Sequence, residues 1–246
     1  MADLVYPPVI GFARTVFRLQ GLRFDIRGTE HVPREGGALL VSNHIGYMDF
    51  MFCGLTALPS RRLVRFMAKE SVFRHKVSGP LMRAMKHIPV DRSQGEHAYA
   101  RALEALRGGE IIGVFPEATI SQSFTLKAFK SGAARLALEA GVPLLPMAVW
   151  GTQRLWTKGA PRSLGRNRFP ISLRVGEQLR PEPEEKPEAL TGRLRARVQE
   201  LLEDAQRGYQ GRPAGPEDRW WLPSHLGGTA PTPQEAARRE KAAPGD

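Results

Sequence analysis

The chain has 246 residues, 41% hydrophobic and 25% charged, enough apolar material for one large domain or two small ones. That excludes a disordered chain and a membrane-embedded one. Thirty-six Lys and Arg against 25 Asp and Glu give a net charge of +11, which favours phosphate-rich partners such as nucleic acid, anionic lipid or a phosphorylated substrate. The single cysteine, Cys53, excludes an internal disulfide and a clustered Cys zinc site and fits a reducing compartment.

Met1-Ala2-Asp3-Leu4 lacks the basic start of a secretory signal, and no stretch reaches the roughly 18 apolar residues that cross a bilayer. Residues 9–20 have the period of an amphipathic helix, with Pro7-Pro8 as the breaker before it. Val9, Ile10, Phe12, Ala13, Val16, Phe17 and Leu19 share one half of the wheel, and Arg14, Thr15 and Arg18 take the other. Such a helix packs on its own domain or lies in a lipid headgroup layer with its arginines toward anionic heads.

From residue 22 short β-branched runs alternate with helical stretches, the pattern of an α/β sheet. Strands are expected at 22–28, 38–42, 63–68, 87–91, 111–115, 144–150 and 169–175, and helices at 49–57, 80–86, 95–107 and 130–140. The last helix stops at Gly141-Val142-Pro143. A Pro/Glu linker, 181–187, leads to a charged helix at 188–206. Between Arg61 and Arg92 nine basic residues face only Glu70 and Asp91, a solvated face or a polyanion-facing one. Residues 211–246 carry five basic and five acidic groups and no sustained apolar period. A mostly disordered tail is expected there, with a docking contact available through Trp220 and Trp221. The partition is an N-terminal helix over 1–21, one domain over 22–210 and the tail over 211–246.

Ligands of open α/β sheets gather at the carboxyl ends of strands. Four polar stretches follow or include apolar runs: 42–49 after 38–41, Asp91-Arg92 after Ile88-Pro89-Val90, 115–121 after 111–114, and the run 141–149. On one continuous helix His44 and Asp49 would point about 140° apart. With His44 in a turn and Asp49 in the first turn of the helix, the carboxylate reaches one ring nitrogen. It then fixes the tautomer and leaves the other nitrogen as a base. Ser42 lacks the Gly-x-Ser-x-Gly elbow, Ser78 and Ser131 are no better placed, and Cys53 reads as a buried small hydrophobe. No His pair has metal-ligand spacing. What remains is a His/Asp base acting on a substrate hydroxyl, with the acceptor itself as the nucleophile.

The four blocks together, in this order, resemble the glycerolipid acyltransferase family of the 1-acyl-glycerol-3-phosphate acyltransferases. Asn43-His44-x4-Asp49 resembles its first motif, Ile88-Pro89-Val90-Asp91-Arg92 its second, Phe115-Pro116-Glu117-Ala118-Thr119-Ile120-Ser121 its third, and Val142-Pro143-Leu144-Leu145-Pro146-Met147-Ala148 its fourth. The resemblance spans roughly residues 38–150. It implies a single α/β domain with a central mixed, mostly parallel sheet flanked by helices. It also implies transfer of a fatty acyl group from acyl-CoA or acyl carrier protein to a lysophospholipid hydroxyl, most simply 1-acyl-glycerol-3-phosphate. In that reading His44 is the general base and Asp49 its orienting partner. Arg92 holds the acceptor phosphate, Glu117 and Thr119 contact its glycerol end, and Asn43 and Ser121 complete the substrate-binding set. Backbone amides near the strand ends are expected to stabilise the tetrahedral oxyanion. No metal or resident cofactor is implied.

Two positions depart from the family's Phe-Pro-Glu-Gly-Thr-Arg: Ala118 replaces the glycine and Ile120 the arginine. Isoleucine cannot offer the planar fork that guanidinium offers phosphate. Lys127 and Lys130 are the nearest substitute cations; otherwise the acceptor is another lysophospholipid or a glycolipid. The basic excess and the first helix fit a peripheral enzyme on the cytoplasmic face of a membrane. A basic nucleic-acid-binding module is the competing class, without a recognised nucleic-acid motif to support it, and nucleic acid is not expected as a partner.

Overall fold

The computed structural model describes residues 4–91 and 95–242. Arg92 lies outside the described residues. In chain order the elements are α1 (Tyr6–Leu19), β1 (Arg23–Arg27), β2 (Ala38–Ser42), α2 (Asp49–Leu55), β3 (Val64–Lys69), α3 (Glu70–Arg74) and α4 (Ser78–Ala84). Then follow β4 (Ile88–Val90), α5 (Gly95–Arg107), β5 (Ile111–Val114), α6 (Gly132–Ala140), β6 (Leu144–Trp150), β7 (Pro170–Val175), α7 (Pro187–Arg207) and α8 (Pro233–Ala242). The seven expected strands are all present. The short helix α3 is an addition, and the helix expected at 80–86 begins two residues earlier, at Ser78.

One seven-stranded sheet runs in the order β1-β7-β6-β2-β5-β3-β4. Every neighbouring pair is parallel except β6 and β7. The fold is thus a single α/β domain around a mixed, mostly parallel sheet. β2 and β6 are buried at every residue, which explains their unbroken apolar runs: a strand covered on both faces has no solvent side to fill with polar residues. α5, α6 and α7 pack side by side, with α7 over β6 and β7, while α2 lies against β6. At Gly113 of β5 a Cβ would fall 2.3 Å from the Phe66 ring, so glycine lets that ring lie on the strand. α6 ends on Gly141 in the left-handed conformation, φ +68°, the stop that its sequence announced.

This order positions the site. β6, β2 and β5 are neighbours and parallel, so their carboxyl ends come together and deliver residues 151–157, 43–49 and 115–121 to one edge. The second block instead sits on β4, the outer strand.

α1 packs on its own domain. Tyr6, Ala13 and Phe17 are buried; Tyr6 Oη donates to the Val64 carbonyl (2.6 Å) and Phe17 stacks on Phe52 at 4.6 Å. Pro7 and Pro8 fall inside its first turn, not before it. Proline is tolerated there because those N–H groups have no intrahelical acceptor. The apolar half of the wheel is divided. Leu4, Phe12 and Leu19 point outward, with Phe12 72% and Leu19 71% exposed. Among the described residues no helix is long and apolar enough to cross a membrane.

The tail departs from the expectation of disorder as far as residue 242. Trp221 is fully buried, the Arg154 guanidinium lies 4.2 Å from its ring and 4.1 Å from that of Phe169, and Gln153 Nε2 donates to the Trp221 carbonyl at 3.1 Å. The Trp220-Trp221 contact is real, and it orders what surrounds it. One large aromatic in a pocket of the domain buries enough surface to order a Pro/Gly-rich segment that has no apolar period. Beyond it Pro223 and Ala230 are buried while residues 224–227 are exposed, and the chain then forms α8, of which Ala236 alone is buried.

Candidate active site

Asn43 follows β2 with its side chain buried. Its amide nitrogen donates to the Val149 carbonyl (3.0 Å) and its oxygen accepts from the Val149 N–H (2.8 Å). That reciprocal pair ties β2 to β6 at the turn. Asn43 is therefore a strut between β2 and β6.

His44 and Asp49 meet as the turn geometry requires. His44 Nδ1 lies 2.9 Å from Asp49 Oδ2, and the imidazole stacks on Phe115 at 4.3 Å. Asp49 is the first residue of α2 and fully buried; its Oδ2 also accepts from Ile45 N (2.7 Å) and Gly46 N (2.8 Å), and its Oδ1 from Thr152 Oγ1 (2.5 Å). A carboxylate with four donors is held in one orientation. Nδ1 carries the proton toward that carboxylate. Nε2 has no hydrogen bond among the described residues, and the His44 side chain keeps 20% of its surface open.

The loop after β6 clamps the same turn. Tyr47 N donates to the Trp156 carbonyl (3.0 Å) and Thr157 Oγ1 to the Ile45 carbonyl (2.6 Å). Because the N–H groups of residues 44–47 all have protein acceptors, this turn does not supply the oxyanion donors that were expected at the strand ends. Thr152 went unnoticed in the sequence. Its signal was its place just past the fourth block, which acquires meaning only once β6 is known to lie beside β2.

Glu117 is buried, with Oε1 accepting from His44 N (2.9 Å) and Oε2 from Lys127 N (3.1 Å). Both oxygens serve backbone amides, so its expected contact with the acceptor's glycerol is replaced by a structural one. Burial pushes its carboxyl up to about 7, against the pull of those two amides and of the Lys127 charge. Ser121 is likewise internal: its N–H donates to the His44 carbonyl (2.8 Å) and its Oγ to the Thr125 carbonyl (2.7 Å). It joins the third block to the turn that carries His44.

Ala118 has φ +62°, a left-handed conformation that explains glycine at this place in the family pattern. Ile120 is 6% exposed, so it presents no polar group at all. Of the two substitute lysines, Lys130 is exposed and Lys127 turns to Thr119: Nζ lies 2.5 Å from Thr119 Oγ1 and 2.6 Å from Glu240 Oε1. Thr119 Oγ1 is 3.2 Å from the same Glu240 oxygen. Among the described residues no group of three or more His, Cys, Asp or Glu could hold a metal ion. Burial and the nearby Asp49 charge push the Cys53 thiol up, which leaves it inert.

The acyltransferase family model matches residues 23–150, just over half the chain and all four blocks. The chain belongs to the acyltransferase family. It is similar to a 1-acyl-sn-glycerol-3-phosphate acyltransferase of Bacillus subtilis, 29% identical over 183 residues that cover 70% of this chain and 84% of the relative. A protein of the same name from Borreliella burgdorferi is 29% identical over 144 residues, 57% of this chain and 56% of the relative. One from Limnanthes alba is 33% identical over 162 residues, 64% of this chain and 55% of the relative. The chain thus spans little more than half the length of the last two. Among solved structures, the 1-acyl-sn-glycerophosphate (LPA) acyltransferase PlsC from Thermotoga maritima superposes with a TM-score of 0.66 at 24% identity, over 80% of this acyltransferase and 78% of that chain.

Proposed function

We propose that this acyltransferase moves a fatty acyl group from acyl-CoA or acyl carrier protein to the hydroxyl of 1-acyl-glycerol-3-phosphate, forming phosphatidic acid. His44 Nε2 takes the hydroxyl proton as the oxygen attacks the thioester carbonyl. The C–O bond forms, the tetrahedral intermediate collapses with loss of the C–S bond, and the imidazolium returns its proton to the departing sulfur. Asp49 holds the tautomer and stabilises the imidazolium between those steps. The thioester is already activated, so no resident cofactor takes part. The observation that carries the reading is the 2.9 Å contact of His44 Nδ1 with a buried, fully hydrogen-bonded Asp49, which leaves Nε2 without a hydrogen bond among the described residues.

Labelled acyl-thioester offered with a panel of lysolipids tests it. Transfer to the phosphorylated acceptor, abolished in His44→Ala, is expected; no transfer to any acceptor removes the proposal. The buried Ile120 favours a second reading with the same chemistry on another lysophospholipid or a glycolipid, and the acceptor with the highest kcat/KM in that panel separates the two.

The enzyme works as a peripheral protein on the cytoplasmic face of a membrane. Support comes from Phe12 and Leu19 exposed on α1 and Leu4 exposed just before it, with Arg14 and Arg18 exposed on the same helix. Flotation with anionic liposomes that weakens with salt and is lost in Phe12→Ser/Leu19→Ser is the expected outcome. Tight binding to duplex DNA without flotation would favour a nucleic-acid-binding module instead.

A further inference from the structure

Lys127, Thr119 and Glu240 form a charge cluster that the chemistry at His44 does not use. Both Glu240 oxygens accept from Lys127 Nζ, at 2.6 and 2.9 Å. Thr119 Oγ1 accepts from that ammonium and directs its own hydrogen toward Glu240 Oε1. Two donors thus converge on one anion, and the anion comes from the last helix of the chain.

The place of this cluster is set by the catalytic turn. The two oxygens of Glu117 hold His44 N and Lys127 N, so the backbone of Lys127 stands one carboxylate's width from that of His44. Ile120 supplies no guanidinium here, and the Arg195 guanidinium that reaches this loop donates to the Leu126 and Lys127 carbonyls. Of the loop's two lysines Lys127 is the one whose Nζ is held in this cluster, against Thr119 and Glu240.

The helix that brings Glu240 is held lightly. α7 buries Leu190, Leu194, Val198, Leu202 and Ala205, whereas α8 buries Ala236 alone. The chain before it is anchored at Trp221 and Ala230. α8 is a polar strap fastened at its root, with an ion pair at its tip whose side chains are 26% and 25% exposed. Pairs of that exposure are weak. A phosphate monoester offers three oxygens and up to two charges to the same donors and competes well against one carboxylate.

We propose that Lys127 Nζ and Thr119 Oγ1 form the subsite for the acceptor's phosphate monoester, and that Glu240 occupies it as an internal carboxylate that the phosphate displaces together with α8. The inference rests on the phosphorylated acceptor proposed above and adds the residues that take its headgroup and the segment that must leave.

Full-length protein tests it in two ways. In the first, Glu240→Gln lowers the KM for 1-acyl-glycerol-3-phosphate about three- to tenfold, leaves kcat and the Tm in place, and does nothing to the KM for a neutral monoacylglycerol. Glu240→Asp stays near the wild type. In a Lys127→Ala background the same Glu240→Gln change has no effect, because the pair is already broken. An unchanged or raised KM in Glu240→Gln overturns the proposal.

In the second, amide hydrogen exchange of residues 233–242 is followed in the presence of glycerol 3-phosphate, inorganic phosphate or glycerol. Faster exchange with the ester and none with glycerol supports displacement; no change with the ester, or release by inorganic phosphate alone, overturns it. This arm needs no turnover. A wild type that acylates nothing therefore sinks the proposed activity, while exchange still reports on the subsite.

Discussion

The two ends of the site are built differently. At the catalytic end Asp49 is wholly buried, receives four hydrogen bonds, and sits in a turn pinned by Asn43 to β6 and by the loop after β6. At the proposed acceptor end Lys127 and Glu240 are each a quarter exposed, and α8 rests on one buried alanine. Proton transfer tolerates little error in distance, so its groups are fixed by the sheet. A lipid headgroup must enter and leave, so its proposed contacts lie on a loop covered by a loosely held helix. Rigidity is spent where bonds are made.

The sharpest way to break this contrast is Asp49→Asn. The amide cannot accept from all four donors, and it no longer stabilises the imidazolium. A fall in kcat of about 10²–10⁴ is expected, with little change in acceptor KM. Equal loss in both constants would mean that the turn also binds substrate.

Glu117 offers a pH test of the same end. Its folded carboxyl titrates near 7, above the 4.5 of its ordinary state, so the folded protein binds the extra proton between those values. Stability therefore falls as pH rises from about 4.5 to 7, by up to about 3 kcal/mol for this group. Denaturant melts at pH 5 and 7 should show that slope in the wild type and lose it in Glu117→Gln.

Thr152→Val removes one donor from Asp49 and leaves Oδ1 buried without a partner, a loss of about 1–3 kcal/mol. About tenfold in kcat should go with it, while Thr152→Ser retains both. A kcat unchanged in Thr152→Val would show that the three bonds on Oδ2 suffice. The smallest effect is expected at Ala118. Its φ of +62° is one that glycine adopts without strain. Ala118→Gly should raise stability by about 1 kcal/mol or less, read as a small increase in Tm.

Local pattern carried much of this. Seven apolar runs became seven strands because side-chain period and burial are local properties of a chain. The His44/Asp49 pair was legible because a five-residue spacing across a turn leaves few geometries. The roles of Asn43, Glu117 and Ser121 were not legible as they stand. Each was expected at the substrate, and each instead holds backbone in place. A polar residue beside a catalytic one looks the same in sequence whether it faces ligand or frame.

By itself, then, the sequence determined the α/β class, the order of its strands along the chain and the pairing of His44 with Asp49. Tertiary structure decided which strands are neighbours, and so brought Thr152 to Asp49 across the sheet and Glu240 to Lys127 from the far end of the chain. It also divided the apolar half of α1 and ordered the tail around Trp221. The physical reason is that periodicity is written within a few residues, whereas these contacts join segments far apart in the chain, by more than a hundred residues for Thr152–Asp49 and Glu240–Lys127. Their energies depend on burial and on partners that exist only once the chain has folded.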